Sequence, residues 1–268
     1  MNSPACKFNL PKSVIVSGAT GAIGSELCLA LADNGVRIVA VARSVDKLLE
    51  LIKRLPRPEN YEHEYLELDF SDPESVRCFG EDLREKNIEI DGVVVNPPRV
   101  APRGDSFPSD NDWLEVFQNV FLGPLNYLEH SVKQIRKSES EYKRIAVISG
   151  ISSKQVLSHY SMNNVIRTAW AAQAKTLAFS LGQEGIHINT LSIGGLFTPA
   201  YKNRIQGKAA DAGISFEEQM TLETENVPLR KYATIDETVH ALIGILSGFT
   251  DHMTGVNFPF EGGYFPQY

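Results

Sequence analysis

The chain has 268 residues, of which 43% are hydrophobic and 22% charged, with a net charge of −7 at neutral pH. That is the balance of an ordinary soluble globular protein, and its acidic sign argues against a nucleic-acid or anionic-membrane partner. No apolar run reaches a membrane span, residues 1–12 hold no signal-like apolar stretch, and three scattered cysteines (Cys6, Cys28, Cys78) without a His cluster predict a cytoplasmic protein with no metal.

Strand-like and helix-like segments alternate along the chain. Residues 14–24 read Val-Ile-Val-Ser-Gly-Ala-Thr-Gly-Ala-Ile-Gly, a β-branched run that ends in Gly18, Gly21 and Gly24 before a helical pattern opens. A strand, a glycine turn and a helix start together make a phosphate site: the backbone approaches closely, and free N–H groups face the anion. Residues 36–41 predict a second strand, and a helix follows over 45–55 until Pro56 stops it. A third strand covers 65–68 and ends at Asp69; Ser71, Pro73 and Glu74 then give a helix start with Ser71 as cap. The all-valine run 93–95 predicts a strand buried on both faces. A long helical stretch runs from 112 to 135 with an interruption at Gly123-Pro124.

A fifth strand over 145–148 precedes another long helix, which follows Tyr160 and ends near Gly182. Strand 186–191 comes next. Residues 194–227 lack a strand and read as an insertion over a site. A helix over 236–246 and a strand near 256–260 close the chain. Strict alternation predicts a parallel sheet with helices on both faces, with ligands beyond the carboxyl ends of the strands.

In that order of elements the chain resembles the short-chain dehydrogenase/reductase family from about Val14 to Gly263. The resemblance implies one α/β domain over 1–268, a Rossmann-type doubly wound parallel sheet that binds a nicotinamide cofactor. It places Gly18, Thr20, Gly21, Ala22, Ile23 and Gly24 in the cofactor's glycine turn, in the variant Gly-x-x-Gly-x-x-Gly spacing. Asp69, with Phe70 beside it, falls where the family's Asp meets the adenine. Asn96 is what remains of the family's Asn-Asn-Ala-Gly, since Pro97 and Pro98 follow it. Gly194 and Thr198 match the stretch over the nicotinamide, and Thr254-Gly255 and Glu261-Gly262-Gly263 match the family's C-terminal pattern.

The catalytic positions depart from the family. Its Ser falls at Gly150, with Ser149, Ser152 and Ser153 nearby. Its relay Asn falls at Val120, beside Asn119. Its Tyr-x-x-x-Lys reads Tyr160-Ser161-Met162-Asn163-Asn164. By resemblance Tyr160 exchanges a proton with the substrate oxygen, Asn164 contacts the ribose without the lysine's charge, and Ser149 or Ser152 substitutes as the oxygen ligand. Arg167, seven residues after Tyr160, lies on roughly the same face; the ordinary reading is packing at an interface or reaching solvent, and the other is charge supply. His159 reads as a loop residue before it reads as an acid. Without a nearby lysine, a neutral tyrosine suits carbonyl reduction better than alcohol oxidation.

The second strand ends at Arg43-Ser44, where an acid would select NAD through the ribose 2′-OH. Arg43 grips a 2′-phosphate instead, with Ser44 adding a hydroxyl, so NADP(H) is expected before NAD(H); an ordinary surface arginine is the other reading. The expected function is an NADP(H)-dependent oxidoreductase acting on a carbonyl, enone or alcohol of a small molecule. The alternatives are a nucleotide-binding sensor or inactive partner, and a lyase or isomerase that reuses the fold. Trp113 and Trp170 read as core or interface aromatics. The alanines at 169, 171, 172, 174 and 178, with the family's habit of assembling through this helix, imply a homodimer or homotetramer, unless they only pack on the sheet. Pro199, Tyr201, Phe216 and Met220 are the expected lid lining. The aromatic tail 258–268 borders a site, a neighbour or simply the core.

Overall fold

The computed structural model describes residues 9–57, 62–101 and 105–266. Cys6 and the last two residues of the aromatic tail, Gln267 and Tyr268, lie outside them. Strands β1 (Ser13–Ser17), β2 (Arg37–Ala42), β3 (Glu64–Glu67), β4 (Gly92–Val95), β5 (Lys143–Gly150), β6 (Ile186–Ile193) and β7 (Asn257–Phe260) form one parallel sheet in the order β3-β2-β1-β4-β5-β6-β7. The order reverses between β1 and β4, the switch point at which such sheets take ligands.

Helices cover both faces because the strands are apolar on both. Ile15, Val93 and Val95 face one cluster with α3 (Pro73–Glu85), α5 (Gly123–Ile135) and α6 (Ser161–Leu181). Val14, Val16 and Val94 face the other, with α1 (Ala22–Asp33), α2 (Val45–Arg54) and α9 (Ile235–Leu246). Between α3 and α5 lies α4 (Asp110–Phe117), started by a Ser109–Asp112 capping box. The 194–227 stretch holds α7 (Pro199–Ala212) and α8 (Phe216–Glu223), capped by Thr198 and Ser215.

Two local expectations are corrected. The cap of α3 is Asp72, whose carboxylate accepts from the Glu74 amide; the Ser71 hydroxyl is drawn instead to Asp69 Oδ1 at 2.6 Å. The break in the 112–135 stretch is not made by Gly123-Pro124 but by a π-turn over Gln118–Leu122. Pro124 has no N–H to give the Val120 carbonyl four residues back. The Trp170 indole donates to that carbonyl at 2.8 Å. Gly123 is required at this crossing, since a β-carbon on it would lie 2.3 Å from the Phe70 carbonyl oxygen.

Candidate active site

The glycine turn leaves β1 with Gly18 at φ +62°, a left-handed conformation that favours glycine. Ser17 fixes the neighbouring strand end: its hydroxyl donates to the Val94 carbonyl and accepts from the Asn96 amide. The Asn96 side chain then lies over Gly18, where a β-carbon would meet its Nδ2 at 2.9 Å. Gly24 lets α1 pack against the turn, because a β-carbon there would fall 2.2 Å from the Gly18 carbonyl oxygen. No side chain caps α1 at Gly21, so its first amides remain free to meet an anion. Thr20 is half-buried, Gly21 and Ala22 are exposed, and Ile23 lines the cavity described below. The turn therefore fits a diphosphate.

At the end of β2, Arg43 is exposed, and the Ser44 hydroxyl is occupied as the cap of α2, accepting from the Lys47 amide at 3.4 Å. Asp69 follows β3. Burial pushes its carboxyl up, but the Ser71 hydroxyl and amide and the Arg43 charge outweigh burial and hold it below the ordinary carboxylate range. Arg43 and Asp69 thus face one another across the place where the resemblance sets the adenosine end. The Phe70 ring is turned into the core against Tyr127, with ring centroids 5.8 Å apart.

A cavity of about 660 Å³ opens beyond the carboxyl ends of β4, β5 and β6, within the size range of small-molecule sites. Asn96, Ser149, Tyr160, Asn163, Arg167, Gly194 and Thr198 are all on its wall. Tyr160 stands just before α6 with φ −131° and ψ 42°, outside the helical region, and its ring meets that of His159 edge-on at 4.6 Å. The Ser149 hydroxyl is buried with no hydrogen-bond partner among the described residues. Ser152 is buried and accepts from Arg167 Nη1 at 3.2 Å. Ser153 is engaged elsewhere, with Ser192 and Asn257.

The family model described as enoyl-(acyl carrier protein) reductase matches residues 18–265. The chain belongs to the short-chain dehydrogenase/reductase family. It is 22% identical over 256 residues to a 3-oxoacyl-[acyl-carrier-protein] reductase of Buchnera aphidicola, covering 95% of this chain and 97% of that one. The fold is that of L-sorbose reductase from Gluconobacter frateurii, solved with NADPH and L-sorbose: TM-score 0.84, 22% identity, 96% of this chain and 97% of that chain. It is also that of an NADPH-bound short-chain oxidoreductase from Pseudomonas aeruginosa with an atypical catalytic center: TM-score 0.82, 18% identity, 96% and 98% covered.

Within this short-chain dehydrogenase/reductase, three expectations at the catalytic end need correction. Asn164 does not face the cavity: its amide accepts from the Leu157 amide at 3.2 Å and donates to the Leu157 carbonyl at 3.0 Å, tying down the loop before α6. The expected shared face of Tyr160 and Asn164 assumed that both are helical, and Tyr160 is not. Four α6 residues line the cavity, Asn163, Ile166, Arg167 and Trp170; the polar two are Asn163, which is buried, and Arg167. Arg167 is half-buried and turns into the cavity. Its guanidinium fills the space above Gly150, where a β-carbon would lie 2.2 Å from Nη1. Burial draws its pKa below the ordinary guanidinium value.

Position 120 supplies no relay. The Val120 side chain is apolar and the Trp170 indole takes its carbonyl. The lid also differs from expectation. Of the four lining candidates, Tyr201 is on the cavity wall, joined by Arg204, Lys208, Glu223 and Tyr232, while Phe216 meets Phe197 edge-on. Glu223 latches the lid by accepting from Tyr201 at 2.8 Å and Lys208 at 2.5 Å. Burial pushes its carboxyl up, but those two hydrogen bonds prevail and leave it below the ordinary range.

Asn163 is what sequence reasoning missed, while Arg167 was read first as an interface or solvent residue and second as a source of charge at the site. The signal was present: Asn163 sits in the buried stripe Met162, Asn163, Ile166, Trp170, Ala174, so the face of α6 that meets the sheet includes 163 and 167 rather than 164.

Proposed function

We propose that this protein is an NADP(H)-dependent oxidoreductase that reduces a carbonyl or enone of a small molecule. The observation that carries the reading is the continuity from the uncapped glycine turn and Arg43 to a cavity with Tyr160 on its wall. Its NADPH-bound and reductase relatives support it. NADP(H), when bound, exchanges hydride with the substrate carbon. The chain's own residues do the rest: the free α1 amides hold the diphosphate, Arg43 meets the 2′-phosphate, and Gly194 and Thr198 border the nicotinamide end. Tyr160 gives its hydroxyl proton to the substrate oxygen, and Ser149, whose hydroxyl has no other partner among the described residues, helps to hold that oxygen. Asp69 stays ionised beside Arg43 and orients it.

The test is a titration of NADPH and NADH followed by a carbonyl screen. Preferential NADPH binding with turnover that Tyr160→Phe abolishes is the expected result; absence of nucleotide binding overturns the reading. One observation favours a sensor or inactive partner instead: Gly150 and Val120 both lack the polar side chain the family uses. On that reading NADPH binds and Tyr160→Phe changes nothing.

We also propose a cytoplasmic homodimer or homotetramer. Among the described residues no helix is long and apolar enough to cross a membrane. Leu114 on α4 and Val165 and Phe179 on α6 are exposed, 69%, 53% and 72% respectively, an apolar surface that a second copy would cover.

A further inference from the structure

Arg167 brings into the cavity a charge that this chain does not neutralise. Its single hydrogen bond among the described residues runs from Nη1 to Ser152 Oγ. A guanidinium carries five N–H donors in a planar fork, so most of that fork is left for something else. No carboxylate of the described residues stands within ion-pair distance of it. The two carboxylates on the cavity wall are engaged elsewhere: Glu223 by Tyr201 and Lys208, and Glu261 by the Phe265 amide. Arg99, on the same wall, adds to the positive field at Arg167. A half-buried charge turned into a cavity is retained when something pairs with it, and here the missing partner is an anion.

The cofactor's phosphates do not supply it. They belong at the turn after β1, and β5 lies two strands away, about 10 Å at ordinary strand spacing. We propose that Arg167 anchors a carboxylate, so that the small molecule bound beside Tyr160 is an oxo acid and not a neutral ketone. The inference rests on the reading of this cavity as the substrate pocket. Gly150 and Ser152 make the site: the glycine leaves the room that the guanidinium fills, and the serine hydroxyl turns the fork so that a carboxylate can lie along its free edge, two oxygens on two N–H groups.

Binding of 2-oxohexanoate, hexanoate and 2-hexanone, measured by calorimetry with and without NADPH, tests it. Both acids should bind at least about tenfold more tightly than the ketone, the usual scale of one charge-assisted contact. Arg167→Met should erase that preference while NADPH affinity stays unchanged. Arg167→Lys, which keeps the charge but not the fork, should keep part of it, and this second variant decides the matter if the first does not fold. Equal binding of the three probes to the native protein, or a preference that survives loss of the guanidinium, overturns the inference while leaving the oxidoreductase reading intact. Failure to bind NADPH overturns that reading instead, and hexanoate still decides the carboxylate site.

Discussion

The two ends of the site are built by different means. Around β1 and β2 the wall offers backbone amides, a left-handed glycine and one exposed arginine. Around β5 and α6 it is made of packed side chains whose positions depend on one another: Arg167 occupies the room left by Gly150, Ser152 holds Arg167, and Trp170 closes the Val120 carbonyl. The contrast shows why the family's nucleotide end survives here in recognisable form while its catalytic end does not. Backbone geometry tolerates exchange of side chains as long as the glycines remain. A packed cluster of side chains can be exchanged only as a set.

That difference can be broken at either end, and the largest effect is expected at the turn. Gly24→Val places atoms 2.2 Å from the Gly18 carbonyl oxygen, which backbone cannot yield cheaply; a loss of about 3 kcal/mol in denaturant unfolding and no detectable NADPH binding are expected. Restoring the family's residues at the other end should fail. Gly150→Ser combined with Asn164→Lys should cost about 2 kcal/mol and bring no gain in NADPH oxidation, because the serine displaces Arg167 and the lysine replaces a side chain that holds the Leu157 backbone. A rise in turnover would mean that the cluster can be exchanged piecemeal after all.

Smaller changes sharpen the picture. Trp170→Phe keeps the packing and leaves the Val120 carbonyl unpaired in the π-turn, so a loss of about 1.5 kcal/mol should appear as a lowered thermal midpoint. Arg43→Ala should leave stability untouched and weaken NADPH about tenfold or more with no change for NADH. Equal losses for the two nucleotides would remove the assignment of Arg43 to the 2′-phosphate. The smallest effect is a pH dependence at the lid. The Glu223 carboxyl lies below its ordinary value in the folded protein, so the latch is fully present above the ordinary carboxylate range, near 4.3, and is lost as pH falls through the lower folded value. Amide protection in α7 and α8, taken relative to the intrinsic exchange rate at each pH, should be steady from neutral pH down to about pH 5 and fall in stronger acid. In Glu223→Gln that acid-dependent step should be absent.

Much of the fold could be read directly because its signals are local. Each β-branched run between turn residues became a strand, and Pro56, with no N–H to give, marked the end of α2. One misreading was local and the other was not. Ser71 and Asp72 both offer a capping oxygen, and the choice went to Asp72 because Asp69 draws the Ser71 hydroxyl away. Gly123-Pro124 looks like a break, yet the π-turn that precedes it is stabilised by Trp170, forty-seven residues on from Gly123, and by Gln118 reaching the Phe70 carbonyl.

The sequence by itself determined the parallel sheet, the glycine turn and an arginine where a 2′-phosphate would lie, since each follows from residue type and spacing within one strand–turn–helix unit. Only the tertiary structure decided which residues of α6 line the cavity. A helix turns about 100° per residue, so its working face depends on where it starts. Here it starts after Tyr160, which keeps a non-helical backbone, and the packing of α6 on the sheet then carries Asn163 and Arg167, not Asn164, into the cavity.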